Sequence, residues 1–215
     1  MFNFDIAGIT PRDIENGYKT FNFNVSKLFT GNASSGGSGG GSGEASKGIL
    51  TTTGGCWFDT GYRVTQDTEI RCDFIHTNTS TNKYVFSDNA YTRFLVPNGS
   101  NRFGKSWTFS CITNPNEKTS IILNKDTFTC NDTVKTIGAT TTFKSTTNLT
   151  LGSYSNSDSS TFEGSFYNFQ IYEAGQLVLD WIPFVDADGK PCFKDTVTGT
   201  NHYHLGTGTL TYTEE

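Results

Sequence analysis

The sequence is poor in charged and in apolar residues alike. Of its 215 residues 17% are charged and 34% hydrophobic, against usual fractions of about 25% and about 45–50%. The residues that favour helix surfaces are accordingly scarce, which excludes a helical bundle or a doubly wound α/β enzyme. Basic residues are outnumbered: 16 Lys and Arg face 21 Asp and Glu, a net charge of −5. They are also scattered, so no nucleic-acid partner is expected. No apolar run approaches the ~18 residues of a membrane span, and no membrane partner is expected either. Met1-Phe2-Asn3-Phe4-Asp5 lacks a basic n-region and a long apolar h-region, so no secretory signal peptide is expected. The five cysteines, Cys56, Cys72, Cys111, Cys130 and Cys192, form neither a CxxC pair nor an even framework. That pattern predicts free thiols in a chain made in a reducing cytosol. Triplets such as Asn78-Thr79-Ser80 and Asn148-Leu149-Thr150 are then not glycosylated.

What is present is Thr, Ser, Asn and Gly, with 14% aromatic residues. Thr, Phe and Tyr fit a pleated, half-buried surface and Gly and Asn fit its turns, so the chain is predicted to be all-β. From Gly31 to Gly43 no side chain can anchor a core. Such a stretch behaves as a coil spanning about 20 Å root-mean-square. Residues 31–47 are therefore read as a Gly/Ser-rich flexible linker, with a long surface loop as the competing reading. Ahead of it, residues 1–30 alternate at Phe2-Asn3-Phe4 and at Phe21-Asn22-Phe23-Asn24-Val25, which predicts two short strands with aromatic faces. Thirty residues cannot bury Phe2, Phe4, Ile6, Phe21, Phe23, Val25, Leu28 and Phe29 alone. The segment is read as an assembly anchor that docks on another protein by strand addition; packing on its own domain is the alternative.

Residues 48–215 read as one strand after another, separated by Gly, Asn, Asp and Ser turns. Examples are Thr68 to His76, Lys83 to Ser87, Thr92 to Val96, Phe162 to Glu173, Gln176 to Phe184 and His202 to Tyr212. A spacing of about 8–12 residues with turn signals predicts a sandwich or jelly roll. Tyr167, Phe169 and Ile171 alternate with Phe166, Asn168 and Gln170, which predicts two opposed faces. Glu173-Ala174-Gly175-Gln176 and Asp186-Ala187-Asp188-Gly189 read as hairpin turns. Trp57 and Trp181 are assigned to the core.

Specific residues carry a resemblance. Cys56-Trp57-Phe58-Asp59-Thr60-Gly61-Tyr62 resembles the aromatic-Ile-Asp-Thr-Gly opening of concanavalin A-like (laminin-G-like) jelly-roll domains of bacteriophage and prophage tail and other virion proteins. Phe162-Glu163-Gly164-Ser165-Phe166-Tyr167-Asn168-Phe169, then Leu177-Val178-Leu179-Asp180-Trp181-Ile182-Pro183, are similar to that family's closing strands. The similarity covers 48–215 and not the segment before it. One departure is Leu179, where the family usually carries Arg; this removes an ion pair for Asp180 and leaves that acid without an assigned role. The resemblance implies a concanavalin A-like jelly roll in a virion structural protein, assembled in the host cytoplasm. It would decorate head or tail or form part of a fibre, dock on other virion proteins through residues 1–30, assemble as an oligomer and serve host attachment by binding surface glycans; a purely architectural virion subunit without ligand, or a glycan-cleaving enzyme on the same fold, is the alternative.

Fold analogy supplies no activity. Glu69 and Asp73 share a strand face, but no third acid follows them as in the glucanases of this fold, so no enzyme, no catalytic residue and no cofactor is expected. Glycan binding uses flat aromatics with planar hydrogen-bonding groups, and Tyr91, Arg93, Asn98 and Trp107, in the turn-rich middle section, are the candidates. Core packing competes for Trp107, which alternates with Phe109 and Cys111. His202 and His204 are weak metal candidates through their His-x-His spacing in a trimer, with two exposed histidines as the plainer reading. Asp186-x-Asp188-Gly189 lacks the distal Glu of a calcium loop and is read as a turn.

Overall fold

Alternation of apolar and polar residues builds most of the elements. The structure, a computed structural model, describes residues 48–79, 82–104, 107–137, 142–154, 156–158 and 160–215, with backbone only at 107 and 108. The anchor residues Phe2, Phe4, Ile6, Phe21, Phe23, Val25 and Phe29, and the linker, lie outside this set. In chain order the elements are β1 (Gly48–Thr52), β2 (Phe58–Asp59), β3 (Thr68–His76), β4 (Lys83–Ser87), β5 (Thr92–Val96), β6 (Asn101–Phe103), β7 (Trp107–Phe109) and β8 (Lys118–Leu123). There follow β9 (Thr127–Cys130), β10 (Thr133–Thr136), β11 (Thr150–Leu151), β12 (Gly164–Glu173), β13 (Gln176–Val185), β14 (Pro191–Asp195), β15 (Asn201–His202) and β16 (Leu210–Glu214). No helix occurs among the described residues.

The strands form two antiparallel sheets. The ten-stranded sheet runs β10-β9-β8-β3-β12-β13-β14-β15, with β1 pairing both β12 and β16; the six-stranded sheet runs β2-β11-β4-β5-β6-β7. This is the all-β sandwich expected from composition and turn spacing. Along β3 every second residue, Thr68, Ile70, Cys72, Phe74 and His76, is buried, while Glu69, Arg71, Asp73 and Ile75 face outward. Aromatic pairs across the interior join the sheets: Phe58 with Phe193 at 4.9 Å, Phe74 with Phe94 at 6.0 Å, Phe94 with Phe128 at 5.7 Å and Phe86 with Phe169 at 6.3 Å between ring centroids. Such pairs contribute about 0.5–1.5 kcal/mol each beyond the area they bury. Trp181 is fully buried among Phe58, Phe169 and Phe193, as expected.

Three expectations are corrected, and one strand is additional to those expected. Trp57 is half-buried rather than in the core: Cys56 and Phe58 point inward, so the residue between them points out, and its indole N–H donates to Asp158 Oδ1 at 3.2 Å. The single strand expected from His202 to Tyr212 is two: β15 pairs with β14, and β16 pairs with β1. Between them the chain closes against residues 54–57, where a Cβ at Gly208 would meet the Gly54 carbonyl oxygen at 1.9 Å. Cys111 and Cys130 are joined in a disulfide across 19 residues, linking the segment after β7 to β9, while Cys56, Cys72 and Cys192 are free and buried. The odd, irregular cysteine spacing cannot reveal a pair that only the fold brings together. β10, exposed at all four residues, has no burial pattern to announce it.

His76, at the end of β3, is fully buried, and burial pushes its imidazole pKa below the ordinary 6.5. The same cause lowers that of His202. Folded, both favour the neutral form; unfolded, they take up a proton as pH falls through 6.5. Stability is therefore retained above that pH and lost below it, with a slope of at most about 1.4 kcal/mol per pH unit for each histidine. Thermal melts should show a falling midpoint from pH 7 to pH 5 and a shallower fall in His76→Gln. An unchanged slope in that variant would remove His76 from the account.

Candidate functional site

The site begins with a fault in β12. Opposite β3, Phe166 pairs with Phe74 and Asn168 with Asp73, so Tyr167 is an extra residue bulged out of the ladder. The bulge changes the parity of the strand. Phe166 is thereby buried together with Phe169 and Ile171, and Tyr167, Asn168 and Gln170 all lie on the outer face. The two-face alternation expected from the sequence is corrected here: placing Phe166 and Phe169 in one core requires the additional residue. Asn168 closes the gap this leaves. Its Oδ1 accepts from the Asp73 backbone N–H at 3.1 Å and its Nδ2 donates to Asp73 Oδ2 at 3.0 Å.

This outward row lines a cleft of about 400 Å³ with Asp73, Lys118, Tyr167, Asn168, Gln170, Asp180, Ile182 and Pro183. Gln170 Nε2 donates to Asp180 Oδ1 at 2.8 Å, and Thr196 Oγ1 donates to Asp180 Oδ2. Asp180 N in turn donates to Asp195 Oδ1 at 3.1 Å. Asp180 thus has a place despite Leu179: Leu179 is buried, and the acid on the opposite face ties the turn after β14 to the sheet. The Lys118 ammonium sits 4.2 Å from the Tyr167 ring centroid and 3.9 Å from Asp73 Oδ2. Partial burial raises the pKa of the Tyr167 hydroxyl, so it stays a neutral donor. The carboxylates of Asp73 and Asp180 and the amides of Asn168 and Gln170 retain hydrogen-bonding capacity beyond these contacts. Such planar groups match neighbouring hydroxyl groups, and the ring with Ile182 and Pro183 offers an apolar floor.

A second cleft, of about 350 Å³, lies further along the same two strands and is lined by Gln66, Asp67, Glu69, Arg71, Asn124, Lys125 and Tyr172. Arg71 lies over the Tyr172 ring at 4.4 Å and pairs with Glu69 Oε1 at 2.6 Å; Asn124 Nδ2 donates to Glu69 Oε2 at 3.1 Å.

The residues singled out from the sequence lie elsewhere. Tyr91 packs on the core with its ring 5.2 Å from Phe143, Arg93 on β5 donates from Nε to the Ser100 carbonyl at 3.0 Å, and Asn98 is exposed beyond β5. Trp107 is on β7, its Cα paired with that of Phe103. Tyr91, Arg93 and Asn98 line neither cleft. His202 stacks on Trp181 at 4.6 Å and His204 lies beyond the end of β15. Among the described residues no group of three or more His, Cys, Asp or Glu could hold a metal ion. Glu69 and Asp73 do share the outer face of β3, four residues or about 13 Å apart along the strand.

No protein-family model matches the sequence, and no curated protein matches it. Among solved structures, the chain resembles a crystal structure described as a putative carbohydrate binding protein from Bacteroides ovatus, with a TM-score of 0.55 and 10% identity. The match covers 79% of this chain and 60% of that one, so the chain spans less than two thirds of that structure's length. At this identity the likeness is one of fold, and the fold shared is an all-β sandwich.

Proposed function

We propose that the protein is a non-catalytic glycan-binding sandwich, displayed on a bacteriophage particle as a head or tail decoration or fibre component and serving attachment to surface glycans. The observation that carries the binding part is the outward row Asp73, Asn168, Gln170 and Asp180 beside Tyr167, which sets planar acceptors and donors next to an aromatic ring in one cleft. The carbohydrate-binding description of a protein with the same fold is consistent with it. A binding rather than cleaving reading is supported by β3, where Glu69 and Asp73 share the outer face but no third acid follows them. The virion part rests on the resemblance of 48–215 to phage jelly-roll domains and on the docking reading of the aromatic N-terminal segment.

The test is a glycan array followed by calorimetry on the best binder. Tyr167→Ala and Asp180→Ala should each weaken binding about 10- to 100-fold, the effect of losing a ring contact or a charge-assisted hydrogen bond. The absence of any bound glycan at millimolar concentration would leave a purely architectural subunit. Release of reducing sugar from a polysaccharide would make the protein an enzyme and overturn the reading.

A further inference from the structure

We infer that the two clefts on the outer face of the ten-stranded sheet are tandem subsites of one groove, and that its ligand is an oligosaccharide chain rather than a single sugar. The inference rests on the glycan reading above and deepens it. Both clefts are built on the same strands. Along β3 the outward residues run Asp73, Arg71, Glu69; along β12 they run Tyr167, Asn168, Gln170, Tyr172. Arg71 and Gln170 are direct cross-strand partners, and each lines one of the two clefts, so the clefts meet at that pair.

The chemistry repeats as well as the position. At one end Tyr167 carries Lys118 at 4.2 Å over its ring, with Asp73 and Asn168 beside it. At the other Tyr172 carries Arg71 at 4.4 Å, with Glu69 and Asn124 beside it. Each station thus combines a tyrosine ring, a cation above it, a carboxylate and a side-chain amide. Both cations are partly exposed at the open face, Lys118 also 3.9 Å from Asp73 Oδ2 and Arg71 also paired with Glu69. Tyr167 and Tyr172 stand five positions apart, one of them bulged, a span of about 13–16 Å along the strand. Two similar stations at a fixed separation suit a ligand that itself repeats. A single sugar would occupy one station and leave the other empty.

The measurement uses the whole chain and a matched series of neutral homo-oligosaccharides of one to six units, taken from whichever linkage the array selects. Calorimetry should give an affinity that rises about tenfold or more between the one-unit and six-unit members. In Tyr172→Ala the ratio of those two affinities should fall toward one, with far-ultraviolet dichroism confirming the fold. An affinity independent of length in the unmodified protein would overturn the groove while leaving glycan binding in place, and that measurement needs no variant. A retained length gain in Tyr172→Ala would overturn it too. Failure of every member of every series to bind would overturn both readings together.

Discussion

Gly164→Ala should destabilise the protein by roughly 2–6 kcal/mol and weaken its cleft in the same step. Gly164 opens β12 at a φ of +147°, a backbone state that side chains rarely adopt and that costs about 1–3 kcal/mol when they do. The added Cβ would also lie 2.0 Å from the Ile75 carbonyl oxygen and 2.8 Å from the His76 Cα. Both are backbone atoms of β3 and cannot swing aside, so β12 itself must shift, at an overpacking cost of about 1–3 kcal/mol. Gly164 pairs with His76 on one side and with Thr52 on the other, so the displaced residue sits inside the sheet. For a domain of this size such a loss lowers the melting midpoint by roughly 5–20 °C. The register it disturbs is the one that runs through Phe166 into the bulge and sets Tyr167 and Asn168 on the outer face. Stability and glycan affinity should therefore fall together in Gly164→Ala. In Tyr167→Ala, a change on the outer face, affinity should fall with a much smaller change in melting. A melting midpoint equal to that of the unmodified protein would show that the approach of β12 to β3 tolerates a side chain.

That bulge also marks where sequence reasoning stopped. β3 is legible because Thr68 to His76 alternates without a break, and β4, β5 and β9 are bounded by the turn residues beside them. β12 carries the same kind of pattern with one residue added. Read with a strict period of two, Phe166 and Phe169 fall on opposite faces; in the structure both are buried. The signal was present in the spacing, since two phenylalanines three apart, flanking Tyr and Asn, satisfy one core only if a residue is bulged out. The cleft was less legible still. Asp73 and Asn168 are 95 residues apart and Gln170 meets Asp180 only through the β12–β13 hairpin. Cross-strand neighbours are a property of register, and register is set by the whole sheet. What the sequence does disclose is the outward face of β3, with Glu69 and Asp73 on it, but not which residues stand opposite. Tyr91 illustrates the converse: an aromatic in a turn-rich stretch looks available for a ligand, yet its ring packs beside Phe143 against the core.

Removing residues 1–30 should leave a folded, glycan-binding domain that no longer enters the particle on which the proposed function places it. Among the described residues the core runs from Leu50 to Leu210; it holds the cross-sheet aromatic pairs, and Trp181 and Phe193 of neighbouring strands stack at 5.4 Å. The segment before it has a different problem. It holds Phe2, Phe4, Ile6, Phe21, Phe23, Val25, Leu28 and Phe29 in thirty residues, and a chain that short cannot bury so much apolar surface within itself. On the docking reading, its alternating aromatics fill pockets of a partner's sheet while the backbone adds a strand, and the Gly/Ser stretch decouples that anchor from the domain. On the proposed virion role, deletion should abolish incorporation into phage particles, as read by their protein content, while the truncated chain keeps its melting midpoint and its glycan affinity. If the truncated chain precipitates or melts early, the apolar side chains belong to the domain's own core. If it is still incorporated, the attachment surface lies within 48–215 and the anchor is not the mount. The two failures point to different places in the chain, so the experiment assigns these thirty residues whichever way it falls.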